Sequence, residues 1–131
     1  MHEPPPANRP AWRRICLSFV WAGRGVLVMI RTQSNAQIHA VAALGVVIAG
    51  FFFGISRGEW CAVVGAIGLV LTAEGINTAI EAVVDLASPE RHPLAERAKD
   101  VAAGAVLLAA LAALVIGLLI FGPHVLALLG H

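Results

Sequence analysis

The stretch Trp60-Cys61-Ala62-Val63-Val64-Gly65-Ala66-Ile67-Gly68-Leu69-Val70-Leu71-Thr72-Ala73-Glu74-Gly75-Ile76-Asn77-Thr78-Ala79-Ile80-Glu81-Ala82-Val83-Val84-Asp85 decides how the chain reads. It stays apolar from Trp60 to Leu71, then admits Glu74, Asn77, Glu81 and Asp85 at steps of 3, 4 and 4 residues. Those steps return to one face of an α-helix. The residues between them are almost all apolar. The segment therefore reads as a helix of membrane length with a polar stripe at one end. Carboxylates at the edge of a span are costly, and they usually mark a functional site.

Composition agrees. Of 131 residues, 59% are hydrophobic and 13% charged, with a mean hydropathy of +0.83. A soluble domain is about 45–50% apolar and about 25% charged, so the excess points to an all-α integral membrane protein. A formal net charge of +1 gives no basic field for nucleic acid. Cys16 and Cys61 have no metal or redox spacing and read as apolar filler. Residues 1–10 are polar, carry Pro4, Pro5 and Pro6, and predict a disordered tail without a cleavable signal. Residues 11–131 form the expected single domain.

Three spans are expected, at about residues 35–54, 60–86 and 95–121. About 20 helical residues cross the roughly 30 Å hydrocarbon core. The first run closes at Gly54, and the third is expected to stop at Gly122-Pro123. The second exceeds what a span needs, so one end must emerge into the interface. Arg9, Arg13, Arg14, Arg24 and Arg31 precede the first span, and Arg91, Arg97 and Lys99 lie between the second and third. Only Arg57 separates the first from the second, and no Lys or Arg follows the third. The positive-inside rule then places the N-terminus and the 86–100 loop in the cytoplasm, in a multi-pass protein of the inner membrane. Glu74 lies about 21 Å along from Trp60, in the inner leaflet, and Glu81 about 31 Å along, near the cytoplasmic boundary.

Residues 11–33 predict an amphipathic helix lying on the cytoplasmic surface, with Arg13, Arg24 and Arg31 on one face towards anionic headgroups. A solvated basic face with no part in any site is the plainer alternative. His39 reads first as an interfacial polar residue, and His124 and His131 as tail residues.

A carboxylate drawn out of water holds a proton more readily than one in water, which suits a general base acting on a hydroxyl. A second carboxylate two turns on, at the water boundary, suits a hard cation such as Mg²⁺. Asn77 between them can orient either. Lys99, the only lysine, opens the third span beside Asp100 and can hold a phosphate as a point charge. Together these suggest phosphoryl transfer from a water-borne nucleotide to a lipid hydroxyl. Neither a Walker A sequence nor a protein-kinase glycine loop is present. Glu81 and Asp85 read otherwise as a solvated helix end, and Arg97 and Lys99 as ordinary anchors. A proton or cation path is a further reading, but the first and third runs offer no deep polar residues to complete one.

The run Glu74 to Asp85, followed by Ala98-Lys99-Asp100-Val101-Ala102-Ala103-Gly104-Ala105-Val106, resembles the small prokaryotic diacylglycerol kinase and undecaprenol kinase family. The resemblance extends through Arg14, Phe19-Val20-Trp21-Ala22, Gly25 and Asn35-Ala36-Gln37-Ile38-His39, and covers about residues 12 to 121. It implies a three-span lipid kinase with a surface helix, a homotrimer sharing sites between subunits, using ATP and Mg²⁺ on a membrane lipid. Glu74 matches the family's catalytic base and Glu81 a Mg²⁺ ligand. Asn77, Lys99 and Asp100 match residues around nucleotide and metal, and Arg14, Trp21, Glu90, Arg91 and His92 match ATP contacts. The second metal position, a glutamate in relatives, is Gln33 here. A glutamine carbonyl brings no charge, so a non-catalytic lipid- or partner-binding relic of the fold stands as the alternative. The Asn35-x-x-Ile38-His39 pattern looks more like the undecaprenol kinase branch.

Overall fold

A computed structural model describes residues 10–130, so the expected tail lies outside the described residues save for Pro10, and His131 lies outside as well. Four helices follow one another: α1 (Ala11–Thr32), α2 (Ser34–Phe53), α3 (Arg57–Ala87) and α4 (Pro93–Leu129). No strand occurs among the described residues. All four helices are long and apolar enough to cross a membrane. α1 gathers its apolar residues on one side more strongly than the other three.

The helix boundaries have local causes. Gln33 takes an extended conformation (φ −107°, ψ 116°) and so separates α1 from α2 by a single residue. α2 ends where Gly54 adopts a left-handed conformation (φ 62°), which a residue without Cβ enters freely. Ser56 and Glu59 then form a reciprocal capping box on α3: Ser56 Oγ accepts from the Glu59 amide at 3.3 Å, and Glu59 Oε2 from the Ser56 amide at 2.7 Å. Pro93 starts α4, where its missing N–H costs nothing, and His92 Nδ1 accepts from the Leu94 amide at 3.2 Å.

One boundary corrects the sequence reading. α4 does not stop at Gly122-Pro123 but runs on to Leu129 with Pro123 inside it. Proline removes its own N–H and crowds the carbonyl four residues back, but the bonds of its neighbours can still carry the helix past it. His124 helps here, and it is not a tail residue. Its Nδ1 lies 2.8 Å from the Ile120 carbonyl, and its ring stands 5.6 Å from Phe53 of α2. Phe53 also meets Phe121 at 6.1 Å, so contacts with α2 brace the extra turns.

Ile55, Val63 and Ile120 form a buried cluster at the α2–α3 turn, with Trp60 and Phe53 packed against it. Gly50 lets α2 approach closely, since a Cβ there would lie 2.7 Å from the Trp60 ring. α3 and α4 share the most extensive contact. The buried face of α3 reads Val63, Ala66, Val70, Glu74 and Asn77, the step of one helical face. Outward residues such as Phe51, Leu108 and Leu119 are largely exposed, which gives the bundle an apolar exterior.

Candidate functional site

The stripe on α3 turns from apolar to polar at Glu74. Glu74 is 1% exposed and Asn77 6%, the only polar residues in the buried set among the described residues. Met29, itself buried, brings its sulfur within 3.4 Å of where a Cβ on Gly75 would stand, so the end of α1 closes over this part of α3. Thr78 Oγ1 donates to the Glu74 carbonyl at 2.9 Å.

Asn77 Nδ2 donates to Glu81 Oε1 at 3.1 Å, one turn along the same face. Asn77 Oδ1 and Glu74 Oε2 are buried and accept no hydrogen bond. Buried polar atoms are nearly always satisfied, so two orphaned acceptors on one stripe need an explanation. Glu81 is half-buried, between these atoms and the exposed Asp85. The face thus grades from buried carboxylate to open water over three turns.

A second group gathers where α3 turns into α4. Lys99 Nζ pairs with Asp85 Oδ1, at the edge of a cleft of about 220 Å³. Glu90, Arg91, His92 and Glu96 also line this cleft. The sequence placed Lys99, Glu90, Arg91 and His92 near a nucleotide, and the structure brings those four together. It does not bring Arg14, Gln33 or Asp100 to Glu74 by any hydrogen bond among the described residues. Arg14 is exposed, Trp21 half-buried on α1, Gln33 half-buried at the α1–α2 corner, and Asp100 exposed. Asp85 as the partner of Lys99, and Glu96 as a wall of the cleft, were missed by sequence reasoning. Both depend on how the 88–92 turn folds α4 back, which no periodicity encodes.

The donor chemistry suits a hard cation. No group of three or more His, Cys, Asp or Glu side chains converges among the described residues. Mg²⁺ does not need one, because it is usually held by one or two carboxylates with phosphate and water oxygens completing the set. The Glu81 carboxylate and the free Asn77 Oδ1 are oxygens of that kind.

The chain matches the family described as prokaryotic diacylglycerol kinase over residues 20–121. It is 47% identical over 116 residues to an undecaprenol kinase of Bacillus subtilis, covering 88% of this chain and 94% of that one. It is 37% identical over 128 residues to a diacylglycerol kinase of Synechocystis, with 95% and 73% covered. A diacylglycerol kinase of Escherichia coli K12 is 27% identical over 117 residues, with 89% and 96% covered.

Proposed function

This chain belongs to the prokaryotic diacylglycerol kinase family and is a membrane lipid kinase; from that premise we propose that it uses ATP and Mg²⁺ to phosphorylate a lipid alcohol at the cytoplasmic face of the inner membrane. The observation that carries this reading is the unpartnered Oε2 of Glu74, 1% exposed on a helix of membrane length. A carboxylate kept dry and without a donor is held at a cost for something that enters from outside the chain.

Glu74 would accept the proton of the lipid hydroxyl as the hydroxyl oxygen bonds to the γ-phosphorus and the bond to the bridging oxygen breaks, releasing ADP. Asn77 holds Glu81 by its amide and turns Oδ1 into the site. Glu81 and Asn77 Oδ1 would hold Mg²⁺, with Gln33 offering a neutral oxygen from the α1–α2 corner. When bound, Mg-ATP supplies the phosphoryl group and the cation that offsets charge on its oxygens. Lys99 meets phosphate as a point charge at the cleft, where its ammonium is now paired with Asp85. Glu90, Arg91 and His92 border the nucleotide, and Asp100, Arg14 and Trp21 complete the set by family resemblance.

Arginine placement supports a cytoplasmic N-terminus and three passes, with α1 on the surface, where its one-sided apolar face suits an interface. A homotrimer with shared sites is what the family resemblance implies, and it would let Arg14, which makes no hydrogen bond to Glu74 within one chain, serve a neighbouring subunit's site. The identity to an undecaprenol kinase favours a polyprenol over a diacylglycerol. The test is transfer of label from radiolabelled ATP, by purified protein in mixed micelles, to undecaprenol, diacylglycerol and other lipid alcohols. Label on undecaprenol above all others is expected. No label on any lipid overturns the reading.

A further inference from the structure

The cleft of about 220 Å³ at the α3–α4 turn holds a side chain that the chemistry above leaves without a task. Glu96 lines its wall, is exposed, and makes no hydrogen bond or ion pair among the described residues. Its neighbours there are engaged. Asp85 holds Lys99, and the Glu90 carbonyl accepts from Ser88 Oγ at 3.0 Å. His92 Nδ1 accepts from the Leu94 amide at 3.2 Å, so the ring is pinned and its proton sits on Nε2.

Position along the helices decides what Glu96 can meet. α3 and α4 run antiparallel here, joined by the 88–92 turn and paired across it by Asp85 and Lys99. Glu81, one turn back along α3, is the next acid whose charge reaches the Lys99 ammonium. Phosphates held by Lys99 and by a cation on Glu81 therefore lie on the Glu74 side of the Asp85–Lys99 pair. Glu96 lies on the other side, three residues or about 4.5 Å beyond Lys99, as Ser88 lies three residues beyond Asp85.

Charge and size agree with that placement. The cleft carries three carboxylates, Asp85, Glu90 and Glu96, against the two cations Arg91 and Lys99. An excess of acid repels a triphosphate but accepts the uncharged base at the other end of a nucleotide. Val84, Pro89 and Ala95 give that base an apolar wall. At about 220 Å³ the cleft falls below the roughly 300 Å³ at which sites for drug-sized ligands begin, so it takes one part of a nucleotide and not the whole.

Resting on the kinase reading above, we propose that Glu96 is a specificity-determining residue for the phosphoryl donor: its carboxylate accepts the exocyclic amino group of adenine and turns away purines with a carbonyl oxygen in that place. An ionised carboxylate is an acceptor only. Adenine presents its N6 amino group as a donor beside N7, an acceptor that suits His92 Nε2–H. Guanine and hypoxanthine present O6 instead, which sets two acceptors against each other. A site built to bond an amino group discriminates far more strongly than one that only fits a shape.

The test is equilibrium dialysis of radiolabelled ATP with Mg²⁺ and the full-length protein in mixed micelles, with unlabelled nucleotides competing. ITP carries O6 in place of the amino group, and purine riboside triphosphate carries hydrogen there. Both should compete about tenfold or more less well than ATP, as expected for loss of a hydrogen bond to a charged group. Glu96→Ala should weaken ATP by a similar factor and bring the three competitors level. Glu96→Gln, whose amide can donate to O6, should raise ITP to parity with ATP. Glu90→Ala should keep the preference for ATP. Glu96 is exposed, so these changes leave the fold intact.

A preference for ATP that survives Glu96→Ala, or that vanishes with Glu90→Ala instead, overturns the proposal. So does a wild-type protein that binds ITP as tightly as ATP, or one that binds no ATP. The two readings fail separately. Amino-dependent ATP binding by a protein that labels no lipid alcohol sinks the kinase reading alone. Normal lipid phosphorylation with Glu96→Ala still favouring ATP over ITP sinks the role of Glu96 alone.

Discussion

Asn77 donates its amide to Glu81 at 3.1 Å and leaves its own carbonyl oxygen buried without a donor. The bond is local, between residues four apart on one helix face, so it forms whenever α3 forms. What is left over is the informative part. With Asn77 Oδ1 and Glu74 Oε2 both unsatisfied, α3 carries a pair of buried acceptors that no donor among the described residues meets.

Glu74→Gln tests whether that pair serves chemistry. The amide keeps the size of the carboxylate but cannot take up a proton. Loss of a general base costs roughly 10²–10⁴-fold, so lipid phosphorylation should fall by that factor while Mg-ATP affinity and the melting temperature change little. Retention of most activity would remove Glu74 from the role of base.

Asp85 and Lys99 form an ion pair at the cleft, so phosphate must compete for the ammonium or share it. Asp85→Asn should lower KM for ATP a few-fold, and Lys99→Met should raise it about tenfold or more, in line with the strength of charge-assisted contacts. Both variants should keep kcat closer to wild type than Glu74→Gln does. An Asp85→Asn protein with a raised KM would mean that Asp85 positions Lys99 more than it competes for it.

Much of this was legible in the sequence, for reasons that differ by residue. The stripe Glu74, Asn77, Glu81 was readable because helical periodicity alone sets it, and the stop at Gly54 because a left-handed cap favours glycine. Continuation past Pro123 was not, because it depends on His124 and Phe121 meeting Phe53 from another helix. The Lys99–Asp85 pair is fourteen residues apart and exists only through the turn between α3 and α4. A cavity of about 350 Å³ among α2, α3 and α4 hides for the same reason. Ala43, Ala66 and Ala113 look unremarkable along the chain and make a void only when three helices bring them together.

Topology is checked without reference to catalysis. Single cysteines at positions 94 and 57, in a background lacking Cys16 and Cys61, should label from the cytoplasmic and outer sides respectively. The reverse pattern would put Glu81 and the cleft on the face without ATP, and the kinase orientation would be lost.

Gly50→Ala addresses the α2–α3 packing. The added methyl would meet Trp60 ring carbons at 2.7 and 2.9 Å, and a ring held against Phe51 at 4.9 Å has little room to yield. Overpacking of this kind costs about 1–3 kcal/mol, so thermal unfolding in detergent should shift downward. Gly45→Ala is the control, since its Cβ meets nothing within 4 Å and alanine favours the helix. Equal melting temperatures for the two variants would show that Trp60 moves aside freely.

Gln33 sits half-buried at the α1–α2 corner, where the resemblance places the second metal-binding carboxylate of relatives. With Glu81 as the one charged ligand from that pair, Mg²⁺ should bind more weakly than at a site with two carboxylates, because each added charge strengthens attraction for a hard cation. Half-saturation of activity should therefore require more Mg²⁺ than in a two-carboxylate relative, and Gln33→Glu should lower the requirement. Binding read directly, by Mn²⁺ paramagnetic titration in the presence of a non-hydrolysable nucleotide, should tighten in parallel. The competing possibility is that Asp85 or Glu90, both on the same end of the bundle, already supplies the missing charge. A new glutamate would then crowd like charges, and the half-saturating concentration would hold steady or rise. That outcome in both titrations would end the weakened-site account and turn attention to Asp85, whose pairing with Lys99 would then have to break for the metal to bind.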